Sequence, residues 1–154
     1  MIREATAEDR DAVQRLYEAL CPGEPVRVLP ERIAEIRNNP DAFLLVAERA
    51  GTVEATVFLT ICPDPMFGRQ PFGVIENVVV DEAVRGLGIG SGLMGYVEQL
   101  CRERGCFKIM LLSSSKRLRA HRFFAALGYS GTVSKGFKKY LGPRGKAMAA
   151  QSGG

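Results

Sequence analysis

The order of apolar and polar residues predicts helices and strands that follow one another along the chain. Residues 1–3 can start a strand. Thr6 is a good helix cap with Asp9 three residues later, and apolar side chains then recur at helical spacing: Val13, Leu16, Tyr17 and Leu20. A second, shorter helix is predicted between Pro25 and Pro40.

Two strands are predicted in the middle of the chain. Residues 43–47 are continuously apolar, and residues 53–61 alternate between apolar and more polar side chains. The turn between them, residues 50–52, is short. The pattern therefore predicts an antiparallel hairpin.

A central strand is predicted for residues 74–81, an apolar run that is interrupted only by Glu76 and Asn77 before its last residue. Helical spacing of apolar residues follows from Leu93 to Cys101. Gly105 then provides a helix stop.

The last third of the chain continues this alternation. Residues 107–112 predict a buried strand, 113–128 a short helix, and 129–133 and 135–141 the last two strands. From residue 142 to residue 154 the composition becomes small and polar, and we expect a disordered tail. Residues 1–141 are thus predicted to form one mixed α+β domain, whose sheet contains a parallel central pair.

The composition agrees with a single globular domain. The chain has 154 residues, 46% of them hydrophobic and 25% charged. No apolar run approaches the roughly 20 residues of a membrane span, and the first ten residues lack the apolar segment of a signal peptide. We therefore expect a cytoplasmic protein with no membrane partner.

The cysteines and the histidine offer little for a metal centre. Cys21, Cys62, Cys101 and Cys106 show no CxxC spacing, and we interpret them as reduced thiols. His121 is the single histidine and has no compact cluster of further ligands around it in the sequence. We expect no bound metal.

The net charge of +4 is modest for a nucleic-acid-binding protein. Positive charge gathers at residues 116–122, which contain no aromatic residue, and at residues 135–146; neither stretch belongs to a DNA-reading motif. We interpret this charge as a solvated helix face, or as one that also attracts the phosphates of a cofactor, and we expect no nucleic-acid partner. The alternative, a nucleic-acid-binding regulator, predicts strongly salt-dependent binding to DNA.

The segment RGLGIGS, residues 85–91, has the properties of an anion site. Glycines at positions 86, 88 and 90 allow tight turns that point successive N–H groups at one place. The helix that follows adds the positive end of its dipole. A phosphate or diphosphate is the expected ligand, and a purely structural glycine turn is the alternative.

Two other glycine motifs fit less well. Residues 90–95 match the dinucleotide fingerprint GxGxxG, but the match lies inside the helix pattern and lacks the acidic residue expected about 20 residues later. The sequence contains no GxxxxGK[ST], which argues against a nucleotide-hydrolysing loop.

The sequence RGLGIG, between a strand and a helix, resembles the Arg/Gln-x-x-Gly-x-Gly/Ala signature of the GNAT N-acetyltransferase superfamily. Downstream, RGCFKIMLLS is similar to the family's next strand, and AHRFFAALGY to its A-x-x-F-Y-x-x-x-G-F segment. The three segments follow the family's order within residues 72–141. The resemblance implies the acyl-CoA N-acyltransferase fold, a mixed and mostly antiparallel sheet with a splayed parallel pair, flanked by about four helices.

The resemblance also implies acetyl-CoA as co-substrate, with its diphosphate on the glycine loop and its pantetheine arm along the central strand. The N–H group of Val79 or a neighbour would polarise the thioester carbonyl. Carried over residue by residue, the cofactor-binding positions are Val78, Val79, Val80, Arg85, Gly86, Leu87, Gly88, Ile89, Gly90, Ser91, Ala120, Phe123 and Phe124.

Glu76 is the predicted catalytic base, because a glutamate at this strand position takes the proton of the amine in several family members. Strict strand alternation would place it on the same face as Val74, Val78 and Val80, so we expect a partly desolvated carboxylate. A structural carboxylate paired with an arginine is the alternative. Asn77 would lie on the opposite face and is interpreted as structural.

The sequence departs from the family pattern at the proton donor. Phe124 stands where many members have the tyrosine that protonates the departing thiolate, and phenylalanine has no proton to donate. Arg117 stands where many members have an asparagine that contacts the cofactor. Water is one alternative donor, and the side chains that remain as candidates are His121, Tyr129, Ser113 and Ser114.

The loop at residues 63–73 is rich in proline and glycine, and loops of this length are often functional. In the family this connection often borders the acceptor, which makes Arg69 a candidate contact for an anionic acceptor. A plain surface connection is the alternative.

The resemblance implies acetyl transfer from acetyl-CoA to a primary amine of a small molecule or peptide. The order of IENVVV, RGLGIG and GCFKIMLL is similar to that in the glucosamine-6-phosphate N-acetyltransferase group, which suggests an amino sugar as acceptor. The alternative, suggested by Phe124, is a non-catalytic acyl-CoA sensor. A homodimer would fit the family, and the sequence leaves the oligomeric state open.

Overall fold

The computed structural model describes residues 1–145 of the chain and shows one sheet with helices on both of its faces. In the order of the chain, the strands of this described part are Ile2–Glu4 (β1), Ala42–Arg49 (β2), Thr52–Cys62 (β3), Phe72–Val80 (β4) and Ile109–Leu111 (β5). The α-helices are Arg10–Leu20 (α1), Pro30–Arg37 (α2), Ile89–Glu103 (α3) and Leu118–Ala126 (α4). The predicted α+β class is confirmed.

The strands lie in the order β1-β2-β3-β4-β5. The first three neighbouring pairs are antiparallel, and they include the predicted hairpin of β2 and β3. The last pair is parallel, with Gly73 opposite Ile109 and Ile75 opposite Leu111. The predicted parallel pair is therefore present, and it lies at one edge of the sheet.

The sheet separates two apolar cores. On one face, α1 and α2 pack through Val13, Leu16 and Ile33. On the other face, the core contains α3 residues such as Leu93 and Met94, together with Phe124 of α4. Alternating strand residues thus face different helices, and the face that a strand residue occupies decides its surroundings.

The start of α1 is fixed by charged and polar contacts. The main-chain N–H of Thr6 donates to the Asp9 carboxylate at 2.8 Å, as the predicted cap requires. Arg3 donates two hydrogen bonds to the same carboxylate, at 2.7 and 2.9 Å. The Arg3 guanidinium lowers the pKa of Asp9.

Two predictions for the C-terminal part are wrong. Residues 129–133 and 135–141 form no strand, and no strand follows α4 within residues 1–145. The segment carries glycines and several lysines, which favour strands poorly, and its apolar side chains do not alternate cleanly; Val133, for example, is 81% exposed. Most of the tail predicted from residue 142 onward, residues 146–154, lies outside the described residues.

Helix α4 begins at Leu118 and not near residue 113 as predicted. Within residues 1–145, no helix has the length and apolar character to cross a membrane.

Candidate active site

The glycine segment forms a loop between β4 and α3. Gly86 and Gly88 have φ values of +83° and +81°, a region that side chains with a Cβ atom rarely adopt. Gly88 is the N-cap of α3, and its carbonyl accepts from the N–H of Gly92 at 2.9 Å. The first N–H groups of α3 have no acceptor within the helix by its geometry, so they point toward the loop.

Gly90 lets the start of α3 lie close to both α4 and β4. A Cβ atom on Gly90 would stand 3.2 Å from the Phe123 ring and 3.2 Å from a Val80 methyl group. Such distances are tighter than ordinary van der Waals contact. The three glycines therefore have different roles, since two permit the turn and the third permits the packing.

Beside this loop lies a cleft with a volume of about 800 Å³. Its walls come from the end of β4, the glycine loop, the start of α3, and α4 with the residues before it. All predicted cofactor positions line this cleft except Leu87, whose side chain is 61% exposed. The structure thus brings these residues together, and their contact with a cofactor stays a prediction.

Several lining residues were not predicted. Ala19 and Leu20, at the end of α1, close one side of the cleft. Leu20 belongs to the apolar stripe of α1, and nothing in that helical spacing indicates that it also borders a cavity. Val84 and Leu118 are apolar lining residues of the same kind.

The charged side chains that line the cleft in the described part of the chain are cationic: Arg85, Lys116, Arg117 and Arg119. Three of them belong to the basic stretch at residues 116–122. A cleft wall of one charge sign, next to a helix N-terminus, favours an anionic ligand.

A β-bulge changes the position of Glu76. The register between β3 and β4 shifts by one residue: Thr56 lies opposite Val79, whereas Phe58, two positions later, lies opposite Glu76, three positions earlier. Asn77 is the extra residue and has a φ of +55°. An asparagine tolerates this left-handed conformation better than most residues do.

The bulge makes the predicted face of Glu76 wrong. Ile75, Val78 and Val80 pack toward α3 and α4, whereas Glu76 lies opposite Phe58, which packs toward α1 and α2. Strict alternation would have placed Glu76 with Val78 and Val80. The Glu76 residue is exposed, so the expected partial desolvation is also wrong. We call the face that carries Glu76 the Glu76 face.

Asn77 lies near Tyr17 of α1, whose phenol is largely buried. Burial raises the pKa of Tyr17 to about 12, so this phenol is neutral near pH 7. Asn77 is thus the extra residue of the bulge. It lies on the side of α1, so its predicted position on the face opposite Glu76 is wrong.

The end of β4 is anchored beside the cleft. Asp81 accepts from the guanidinium of Arg15 at 2.5 Å and from the main-chain N–H of Ala83 at 3.0 Å. The hydrogen bond from Ala83 and then that from Arg15 lower the pKa of Asp81. These contacts hold the chain where it leaves the sheet and enters the glycine loop.

The candidate proton donors do not meet at the cleft. Phe124 lines it, and packs against Phe123 with ring centroids 5.3 Å apart. Tyr129 lines a second cleft of about 300 Å³ beside Cys101. His121 lies with Nε2 2.8 Å from the carbonyl oxygen of Ser114. Ser113, Ser114, His121 and Tyr129 are all absent from the described lining of the large cleft.

Arg69 is exposed in the loop between β3 and β4. Phe67 of the same loop packs edge-on against Phe107, with ring centroids 5.4 Å apart. A role of Arg69 toward an acceptor stays a prediction. The described residues contain no group of three or more side chains of the kinds that could hold a metal ion.

A family model described as the acetyltransferase (GNAT) family matches residues 10–129. The aminoalkylphosphonate N-acetyltransferase of Salmonella typhimurium is 30% identical over 129 residues, which cover 83% of each chain.

Two further similarities concern glucosamine-6-phosphate N-acetyltransferases. The enzyme of Trypanosoma brucei brucei is 37% identical over 79 residues, 51% of this chain, and the match spans about half of that relative, 52%. The crystal structure of the Arabidopsis thaliana enzyme superposes with a TM-score of 0.79 at 27% identity, covering 92% of this chain and 98% of that one.

Proposed function

Because the chain belongs to the acetyltransferase (GNAT) family, we propose that it transfers acetyl from acetyl-CoA to a primary amine of a small molecule. One observation carries this proposal. A glycine loop that opens into a helix N-terminus forms the wall of a cationic cleft, at the point where β4 ends.

In the proposed complex, the cleft holds the coenzyme. The N–H groups around Gly86 and Gly88 and the start of α3 bind the diphosphate, since both the donors and the helix dipole favour an anion there. The pantetheine arm extends along Val78 and Val80, whose side chains face the same helices as the cleft.

The bulge gives a place for the thioester carbonyl. The extra residue of a bulge leaves main-chain groups without a partner in the ladder. An N–H group beside Asn77 can then donate to the carbonyl oxygen as negative charge develops on it. The amine attacks the carbonyl carbon, the new C–N bond forms, and the C–S bond breaks as the thiolate departs.

Glu76 is the proposed base, acting from the other side of β4. Its exposed carboxylate can accept the proton of the incoming ammonium, directly or through water, while the coenzyme lies on the side of α3 and α4. The two reactants would thus approach the point where the pairing of β4 and β5 ends, after Ile75 and Leu111, from opposite faces of the sheet. After the attack, the nitrogen loses its second proton to water, and the departing thiolate takes a proton from water, since Phe124 has none to give.

Two acceptor classes come first for testing. The Trypanosoma and Salmonella relatives are named for glucosamine 6-phosphate and for aminoalkylphosphonates, and both compounds carry an amine together with a phosphorus oxyanion. We propose an acceptor of this kind. An acyl-CoA sensor is the second candidate. Phe124, which is 8% exposed, lies in the wall of the cleft where a transferase would need a proton donor for the thiolate, and phenylalanine cannot donate a proton.

A thiol-release assay with a panel of amines tests the proposal. Turnover with an amine supports the transferase, and coenzyme A binding without turnover on any amine supports the sensor. Glu76→Gln should lower kcat about a hundredfold or more, by the usual contribution of a general base, and leave coenzyme A affinity unchanged.

Glu31→Gln, on the exposed side of α2, is the matched control and should behave like the wild type. A Glu76→Gln variant with normal kcat and an unaltered pH–rate profile would remove Glu76 from the mechanism.

A further inference from the structure

The segment after α4, residues 130–145, crosses one side of the molecule without joining the sheet. Gly136 lies against Leu112, so closely that a Cβ atom on Gly136 would stand 2.5 Å from a Leu112 methyl group. At its far end, Arg144 approaches Glu24 at 3.6 Å, and Gly145 lies against Pro25 in the loop between α1 and α2. We call residues 130–145 the C-terminal segment.

Leu112 places the C-terminal segment near Glu76. Ile109 and Leu111 of β5 pack toward α3 and α4, so Met110 points the other way, and continued alternation gives Leu112 the direction of Met110. Ile75 and Leu111 are the last paired residues of β4 and β5, so Glu76 and Leu112 are the next positions in register. The C-terminal segment therefore crosses the Glu76 face.

The C-terminal segment carries positive charge and no carboxylate, with Lys135, Lys138, Lys139 and Arg144 as its charged residues. Two of them gather around one tyrosine. The Lys138 Nζ atom lies 5.7 Å and the Arg144 Cζ atom 5.6 Å from the centroid of the Tyr140 ring. Arg144 also donates to the Tyr140 hydroxyl at 3.4 Å.

This grouping creates a positive local potential. The hydrogen bond from Arg144 and then the charge of Lys138 lower the pKa of Tyr140. Glu24 is the carboxylate that faces the group from the loop between α1 and α2, and it contacts Arg144 alone among the three side chains. We call Lys138, Tyr140 and Arg144 the cationic corner.

We propose that the cationic corner binds the phosphate or phosphonate group of the acceptor. This inference rests on the proposed acetyl transfer and assigns residues to its specificity. Tyr140 is four positions after Gly136, which lies on Leu112, so the main chain between them spans at most about 14 Å. In the proposed complex, the amine of the acceptor lies at Glu76 and its oxyanion at the corner. Lysine supplies a mobile charge, and arginine supplies a planar pair of donors for the oxyanion.

Kinetics with two acceptors that differ only in the phosphate test the proposal. For glucosamine 6-phosphate, Lys138→Gln and Arg144→Gln should each raise KM about tenfold and leave kcat nearly unchanged, as expected for lost charged hydrogen bonds in an exposed site. For glucosamine, KM should stay at the wild-type value in both variants. Equal changes with the two acceptors would overturn the proposal.

Two further variants separate recognition from general charge and from structure. Lys139→Gln removes a neighbouring charge that does not lie over the Tyr140 ring, and it should leave both KM values unchanged. Glu24→Gln breaks the contact with Arg144 but keeps the cation, so KM for glucosamine 6-phosphate should stay equal or fall. If Lys139→Gln matched Lys138→Gln, or Glu24→Gln matched Arg144→Gln, the assignment would be wrong.

Calorimetric binding of glucosamine 6-phosphate to the coenzyme A complex distinguishes a failure of this inference from a failure of the proposed function. Binding that weakens in Arg144→Gln supports the corner even if no amine is acetylated. Acetylation of glucosamine 6-phosphate by Arg144→Gln with wild-type KM would refute the corner and leave the transferase intact.

Discussion

Replacing Gly88 by alanine separates the conformational role of the glycine loop from its role in binding. Gly88 has a φ of +81°, and a Cβ atom at this position would have no heavy atom within 4 Å among the described residues. The cost of Gly88→Ala is therefore strain and not collision. A left-handed conformation costs an L-residue about 1–2 kcal/mol.

This strain has two expected results. The melting temperature should fall by roughly 4 °C, since 1 kcal/mol corresponds to about 2–4 °C in a domain of this size. Relief of the strain by rotation of the loop would turn the N–H groups at the start of α3 away from a diphosphate. Coenzyme A affinity should then fall at least about tenfold, the value of one charged hydrogen bond.

Gly95→Ala is the matched control on the same helix. Gly95 is an exposed helical residue, and a Cβ atom on it would have nothing within 4 Å among the described residues, so alanine should raise the melting temperature by roughly 2 °C and leave coenzyme A affinity unchanged. Circular dichroism melts and titration calorimetry measure the two quantities. A Gly88→Ala variant that melts lower but binds coenzyme A as tightly as the wild type would refute the role of the loop.

Three other variants test neighbouring parts of the structure. Phe124→Tyr should raise kcat if protonation of the thiolate limits turnover, because it places a phenol in the wall of the cleft; steady-state kinetics that show no gain would mean that this step is not limiting. Tyr129→Phe should keep full activity and an equal or higher melting temperature, since the Tyr129 hydroxyl is buried without a hydrogen-bond partner among the described residues; a loss of kcat would make Tyr129 a candidate proton donor again. Asp9→Asn should cost about 2 kcal/mol at pH 7, because it breaks the paired hydrogen bonds from Arg3. Since the folded-state pKa of Asp9 is lowered, this contribution is present above the ordinary aspartate pKa of about 4 and is lost as the pH falls through the lowered value, so urea melts of the wild type and the variant should converge in acid.

The glycine loop and the order of helices and strands could be predicted because their signals are local. Glycine at positions 86 and 88 indicates a positive φ at these residues. The helical spacing of Leu93, Met94 and Val97 indicates which side of α3 is buried. Such features need no knowledge of the partner strand.

The face of Glu76 could not be predicted because it depends on pairing across the sheet. Val78, Val79 and Val80 are all apolar, so no polar residue in this run indicates which side chains face α1 and α2 and which face α3 and α4. The one available sign was Asn77, a residue that tolerates positive φ. The prediction of two C-terminal strands was wrong because it, too, depended on pairing across the sheet. Residues 129–141 contain apolar positions typical of a strand but do not pair with β5.

The extra residue in β4 also has a consequence for how the strand tolerates deletion. A version of the chain without Asn77 would run as a regular ladder, and Ile75, Glu76, Val78 and Val79 would each keep the side they occupy now. The packing of the domain therefore does not require this asparagine. A shortened strand would lose the bulge, and with it the main-chain N–H group that the proposed mechanism places on the thioester carbonyl. The deletion should therefore give a folded protein with lower turnover.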